Sequence, residues 1–272
     1  MLDLLIWPFL AVIIISGLHV YLGLHVVARG VIFVDLALAQ VAAVGSTVGL
    51  LLGLEGDGAL SYLIAMSFTL VGALFFTVVR DRRNIIPQEA IIGITYAVAA
   101  AVMILLLSKA PEGAEHINAL LVGNILFVTP KVVGTTFVLF SAVGLLFYLL
   151  RRRLSEATAD YDRVAAGRSH RLWNFIFYAL FGMVVTGAVR IVGVLLVFTY
   201  LIIPTVAVML FFQGWRVRLL AGWLLSIVVS VLGMAASVWL DVPTGAAIVT
   251  AFGAALIVIA TLNWLLLRTR PA

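Results

Sequence analysis

Residues 192–212 read VGVLLVFTYLIIPTVAVMLFF, a run without a single charged side chain. At a rise of about 1.5 Å per residue such a run forms a helix of roughly 30 Å, the thickness of a bilayer's hydrocarbon core. Similar runs recur along the chain: Leu4 to Leu24, Val34 to Leu54, Ala59 to Val79, Ala90 to Leu107, Val132 to Leu150, Leu172 to Val189, Leu219 to Leu240 and Ala246 to Leu267. None shows the short alternating pattern of a membrane barrel's strands. Hydrophobic residues make up 64% of the 272 residues and charged ones 11%, and the mean hydropathy is +1.24. Exposing that much apolar surface to water would be very unfavourable, which excludes a soluble globular protein. The expectation is a single all-α polytopic membrane domain over residues 1–272, with about nine spans and eight as the alternative count.

The joints between spans sort by charge. Arg29, then Arg80, Arg82 and Arg83, then residues 151–171, then Arg216 and Arg218, then Arg268 and Arg270 fall on one face if every span crosses. An excess of Lys and Arg marks the cytoplasmic face, so the reading is N-terminus out and C-terminus in. The other joints carry Glu55, Asp57, Glu112, Glu115 and Asp241, with Lys109, Lys131 and Arg190 as their basic residues. Met1-Leu2-Asp3 offers no basic n-region, and no small-residue cleavage site follows Ser16-Gly17, so the first span is expected to be retained. The absence of cysteine excludes disulfides and thiolate metal sites.

Two stretches depart from plain spans. Residues 116–128 (HINALLVGNILFV) are apolar but too short to cross, and Pro130 follows. The segment from 117 to 128 is therefore expected to be a short re-entrant or interfacial helix at the outer face, with one long tilted helix as the alternative. Residues 151–171 (RRRLSEATADYDRVAAGRSHR) form the largest polar island, with a short helical pattern ending at Gly167. On the cytoplasmic side it would offer a docking surface to a soluble partner.

No G-x-x-x-x-G-K-[ST] loop, H-E-x-x-H pair or nucleophile elbow is present, so an ATPase or hydrolase site on this chain is not expected. Ionisable groups at membrane depth are costly and point to function. Asp35 stands some six residues beyond Arg29, roughly 9 Å into the bilayer. A divalent cation would compensate its charge, whereas a cap or a salt bridge toward Arg29 is the alternative. Gln40 lies about 140° around the same helix, so the two could share an ion only across a common cavity. Glu89, just after Pro87, suits a helix N-terminus or the inner mouth of a pore. Gly93, Ala97, Ala99, Ala100 and Ala101 would let that helix pack inside the bundle. His19 and His25, six apart, do not share a helix face, and His170 lies in the island; hydrogen-bonding roles suit them better than metal ligation. Glu112, Glu115 and His116 could attract a dication at an outer vestibule, or form a solvated loop.

The segments RGVIFVDLALAQ, QEAIIGITYAVAAAVMILLLS, LLVGNIL, DYDRVAAG, VRIVGVLLVFTYLIIPTVAVML and LDVPTGAAIV, in that order, resemble the membrane permease subunit of the metal-type (zinc, manganese and iron) ABC import family. The match runs over nearly the whole chain. VGVLLVFTYLIIP followed at the right distance by DVPTGAAIV is its specific part. The resemblance implies a type II importer fold, similar to the vitamin B12 permease with one fewer N-terminal helix, in a prokaryotic inner membrane. It also implies a second permease copy, most simply a homodimer in lipid. Cytoplasmic P-loop ATPase subunits would carry the ATP, and an extracytoplasmic solute-binding protein would deliver the metal; no permanent cofactor and no nucleic acid are implied. Ser155, Glu156, Asp162, Ala165, Ala166 and Gly167 would belong to the ATPase-coupling element, and residues 117–128 to a gating helix. Asp35 matches the acid of a D-A-L-S-H motif, but this chain has Ala39 where the motif has His, and Gln40 next to it. A rival reading is an ion- or proton-coupled secondary transporter, for which no internal repeat is evident.

Overall fold

The structure is a computed structural model, and it describes residues 2–54, 58–79, 86–108, 121, 123, 125–159, 161 and 168–268. Among them the regular elements are helical. They are α1 (Leu2–Ala28), α2 (Val34–Leu51), α3 (Ala59–Val78), α4 (Gln88–Leu107), α5 (Pro130–Leu149), α6 (Arg151–Ala159), α7 (Arg168–Met209), α8 (Trp215–Leu240) and α9 (Thr244–Arg268), with one 3₁₀ turn at Ile125–Phe127. All but α6 are long and apolar enough to cross a membrane. Within hydrocarbon a helix satisfies its own backbone donors and acceptors, which is why the apolar runs take this form.

The long element α7 is two spans in one. Gly193 sits at φ 75°, ψ 165°, outside helical space. Asn174 in its first half reaches Arg29 at the end of α1. Thr205, in its second half, packs so closely on Gly23 of α1 that a Cβ there would collide with it. A straight helix would hold Asn174 and Thr205 roughly 45 Å apart, whereas Gly23 and Arg29 stand only about 9 Å apart along α1. The chain therefore doubles back at Gly193, and the two halves correspond to the separate spans expected from 172 to 189 and from 192 to 212. Counting both, the described residues make nine passages through the bundle. The end of α1 with Arg29 then lies level with α6, the start of α7 and Trp215, and is called here the basic end.

Helix ends follow from local chemistry. α1 stops where Gly30 takes φ 65°, with Val31 N–H donating to Val26 and Gly30 N–H to Val27. α2 stops in the same way at Gly53. Both are Schellman closures, which need a left-handed residue that glycine adopts without strain. α5 starts with Thr129 as N-cap and Pro130 in its first turn.

α4 corrects an expectation. Its inner face, with Ile91, Ile92, Ala99, Met103 and Leu107, is buried, whereas Ile94, Tyr96, Val98, Ile104 and Leu105 are exposed. It is a peripheral helix packed on α2. Small residues at 93 and 97 look away from the bundle, because lipid and core are equally apolar and composition does not tell them apart.

In the segment before α5, Ile125 is buried in the main core. Gly123, at φ 69°, abuts the backbone of Val192 and Gly193, leaving no room for a Cβ. The corner of α7 thus rests on this glycine. Gly123→Ala is expected to cost about 1–3 kcal/mol from the left-handed conformation alone, and the collision adds to it. Gly93→Ala, inside α4 where a Cβ meets open space, should hold or raise the thermal midpoint in detergent. Equal midpoints for the two variants would show that the segment does not pack on the corner.

Candidate functional site

Two acidic side chains meet at the basic end of the bundle. α2 opens one residue before Asp35, which is fully buried in its first turn. Its N-terminus has no side-chain cap of its own. Instead the carboxylate of Glu89, from the first turn of α4, accepts the backbone N–H of Ile32 in the turn just before α2. Glu89 is thus a cap, as its position suggested, but for the neighbouring helix. Both acids lie against the positive end of the α2 dipole, which favours negative charge there.

The capping bond leaves much unsatisfied. Among the described residues, neither carboxylate oxygen of Asp35 has a hydrogen-bond partner, and neither do Glu89 Oε2 and Gln40 Oε1. The backbone N–H groups of Asp35 and Leu36, in its own first turn, lie beside the carboxyl without forming a full hydrogen bond to it. The alternative of a salt bridge to Arg29 is not realised. Arg29 donates to Thr158 Oγ1 at 3.0 Å and to Asn174 Oδ1 at 3.1 Å, and lies 3.7 Å over the Phe177 ring. A buried carboxylate without partners costs several kcal/mol unless a proton or a cation neutralises it. Gln40 is also buried, on the far side of α2 from Asp35 by helical spacing. Among the described residues no three His, Cys, Asp or Glu side chains gather as a metal cluster.

The other expected residues fall elsewhere. Ser155 and Glu156 lie on the exposed face of α6, where Glu156 pairs with Arg152 at 3.4 Å and Arg153 at 3.8 Å in the open. Pairs so exposed contribute little to stability. A helix runs from Arg151 to Ala159, and the end expected at Gly167 lies outside the described residues. Asp162, Ala165, Ala166 and Gly167, like Glu112, Glu115 and His116, lie outside the described residues. His19 donates from Nδ1 to the Ile15 carbonyl at 2.8 Å, the local role expected for it.

Sequence reasoning missed the polar cluster around Arg29. Arg29 is 2% exposed and His25 is 1% exposed, and both bond to Thr158 of α6. Arg29 read as a topology marker at a joint. The one available signal was its position, within six residues of Asp35.

Comparison with known proteins places this geometry in a lineage. A manganese import system permease protein, ScaB, of Streptococcus gordonii is 24% identical over 232 residues, covering 84% of this chain and 80% of its own. A probable iron transport system membrane protein of Haemophilus influenzae is 24% identical over 261 residues, covering 92% and 90%. PsaBC from Streptococcus pneumoniae, solved in complex with Fab, superposes with a TM-score of 0.77 at 22% identity, covering 94% of this chain and 90% of that one. The fold is therefore shared with that structure. Residues 1–263 match the ABC 3 transport family, and the chain belongs to it.

Proposed function

We propose that the chain is the membrane permease subunit of an ATP-driven importer and forms the pathway for a divalent metal ion. The observation that carries this reading is Asp35: a fully buried carboxylate, both oxygens without partners, beside Glu89. A dication passing the head of α2 would supply the charge that the protein withholds. The family and the names of its relatives, which concern manganese and iron, support a metal as cargo. The donors at hand are the carboxylate oxygens of Asp35 and Glu89, with Ala39 where a histidine would favour zinc. Hard oxygen donors suit manganese better than zinc, so among zinc, manganese and iron the first choice is manganese, then ferrous iron.

The chain carries no P-loop, so ATP hydrolysis falls to separate cytoplasmic subunits. The basic end would face them, with α6 and the residues through Gly167 as the coupling element. An extracytoplasmic solute-binding protein would deliver the ion at the opposite end, where residues 117–128 would act as the gate and Glu112, Glu115 and His116 as the vestibule. A second copy, most simply identical, would complete the pore in a prokaryotic inner membrane.

The reading separates a pathway carboxylate from a structural one. In cells whose only manganese importer contains this chain, Asp35→Asn is expected to reduce uptake of labelled manganese at least tenfold with normal membrane insertion. The same acid is a cost to the fold, so Asp35→Leu should keep or raise the thermal midpoint of the purified protein. Full uptake by Asp35→Asn, or a large loss of stability in Asp35→Leu, contradicts the proposal. Glu89 has a second duty as a cap. Glu89→Ala should therefore lower the midpoint by about 1 kcal/mol in stability, while Glu89→Gln, which keeps an acceptor for Ile32, restores it.

A further inference from the structure

We infer that the hydroxyl of Thr158 is the joint through which movement of α6 reaches the acid pair at the head of α2. This rests on the permease reading above and adds to it the residues that transmit the motion. α6 is amphipathic: Leu154, Ala157 and Thr158 are buried, and the arginines at 151–153 are exposed. Of its buried side chains only Thr158 is polar, and its oxygen takes part in three hydrogen bonds.

The bonding is over-determined. Leu154 offers only a carbonyl, so the Thr158 hydroxyl must donate its one hydrogen there, at 2.9 Å. The remaining contacts, Arg29 Nε at 3.0 Å and His25 Nδ1 at 3.0 Å, are then both donors to its oxygen. His25 is thereby held with hydrogen on Nδ1. One hydroxyl thus ties α6 to His25 of α1 and to Arg29 in the turn that follows it, and Arg29 extends the tie to Asn174 of α7 at 3.1 Å. The guanidinium is wedged over Phe177, so it has little freedom to follow α6 without moving its own backbone.

What Arg29 moves is the turn that carries the site. Its own N–H bonds back to His25, Gly30 and Val31 close the Schellman turn, and Ile32 holds Glu89. Asp35 follows within the first turn of α2. A displacement of α6 pulls Arg29 and with it the short rigid turn whose far end positions both carboxylates. Thr158 touches neither cargo nor ATP; it is a positioning residue.

Two measurements test this. In the purified permease, backbone amides of residues 30–34 are expected to exchange hydrogen roughly tenfold faster in Thr158→Val than in wild type, because a buried bond to a charged donor is lost. Thr158→Ser, which keeps the oxygen, should exchange at the wild-type rate. In proteoliposomes containing the full complex and its loaded binding protein, Thr158→Val should hydrolyse ATP but move at least fivefold less manganese per ATP, with Thr158→Ser restoring the ratio. Unchanged exchange, or a wild-type transport ratio in Thr158→Val, overturns the joint. If Thr158→Val does not fold, Thr158→Ala, which also removes the oxygen shared by Arg29 and His25, takes its place, with the same exchange increase expected and unchanged exchange overturning the link. Failure of wild type to move manganese would instead strike the permease reading, and the exchange result would still decide the link.

Discussion

A buried backbone group outside a helix must find its hydrogen-bond partner within the protein, and the turn from Arg29 to Phe33 meets this demand in a way that bears on the acid pair. Glycine at position 30 lets α1 close on itself, and Glu89 reaches from a helix distant in sequence to take the N–H of Ile32. Arg29 is then spent on Thr158 and Asn174 and is not available to neutralise Asp35. The acid pair thus remains uncompensated because the turn's other needs are met first. Had Arg29 faced Asp35, the site would be a closed salt bridge with no affinity for a passing ion.

The same arrangement sets the energetics expected of a transporter. Burial of an unpaired carboxylate costs several kcal/mol, which on the proposed reading a dication would return on binding. Without a histidine at position 39 that return would be limited, and limited affinity would let an ion leave. On that reading one donor set would serve both a preference for hard cations and ready release.

Most of the architecture was legible because membrane helices announce themselves by length and apolarity. All nine spans lie at their expected positions, and the joint near Arg190 coincides with the corner at Gly193. Asp35 was legible for the same reason: a charge in an apolar run stands out. The missing parts depended on contacts far apart in sequence. Thr158 and Asn174 are ordinary polar residues until Arg29, more than a hundred positions earlier, is brought beside them. Glu89 was placed at a helix start, but nothing local said that the helix it caps would be α2. The exposure of α4 was misread because its small residues suit a lipid-facing helix as well as a packed one.

The central claim is that the ion passes the head of α2 in contact with Asp35. Its most direct test is an anomalous-scattering map from crystals of the full complex trapped with manganese. The account predicts a manganese peak at inner-sphere distance, about 2.0–2.3 Å, from an Asp35 carboxylate oxygen. A manganese ion held within the permease elsewhere, with both Asp35 oxygens still unpartnered, would contradict it.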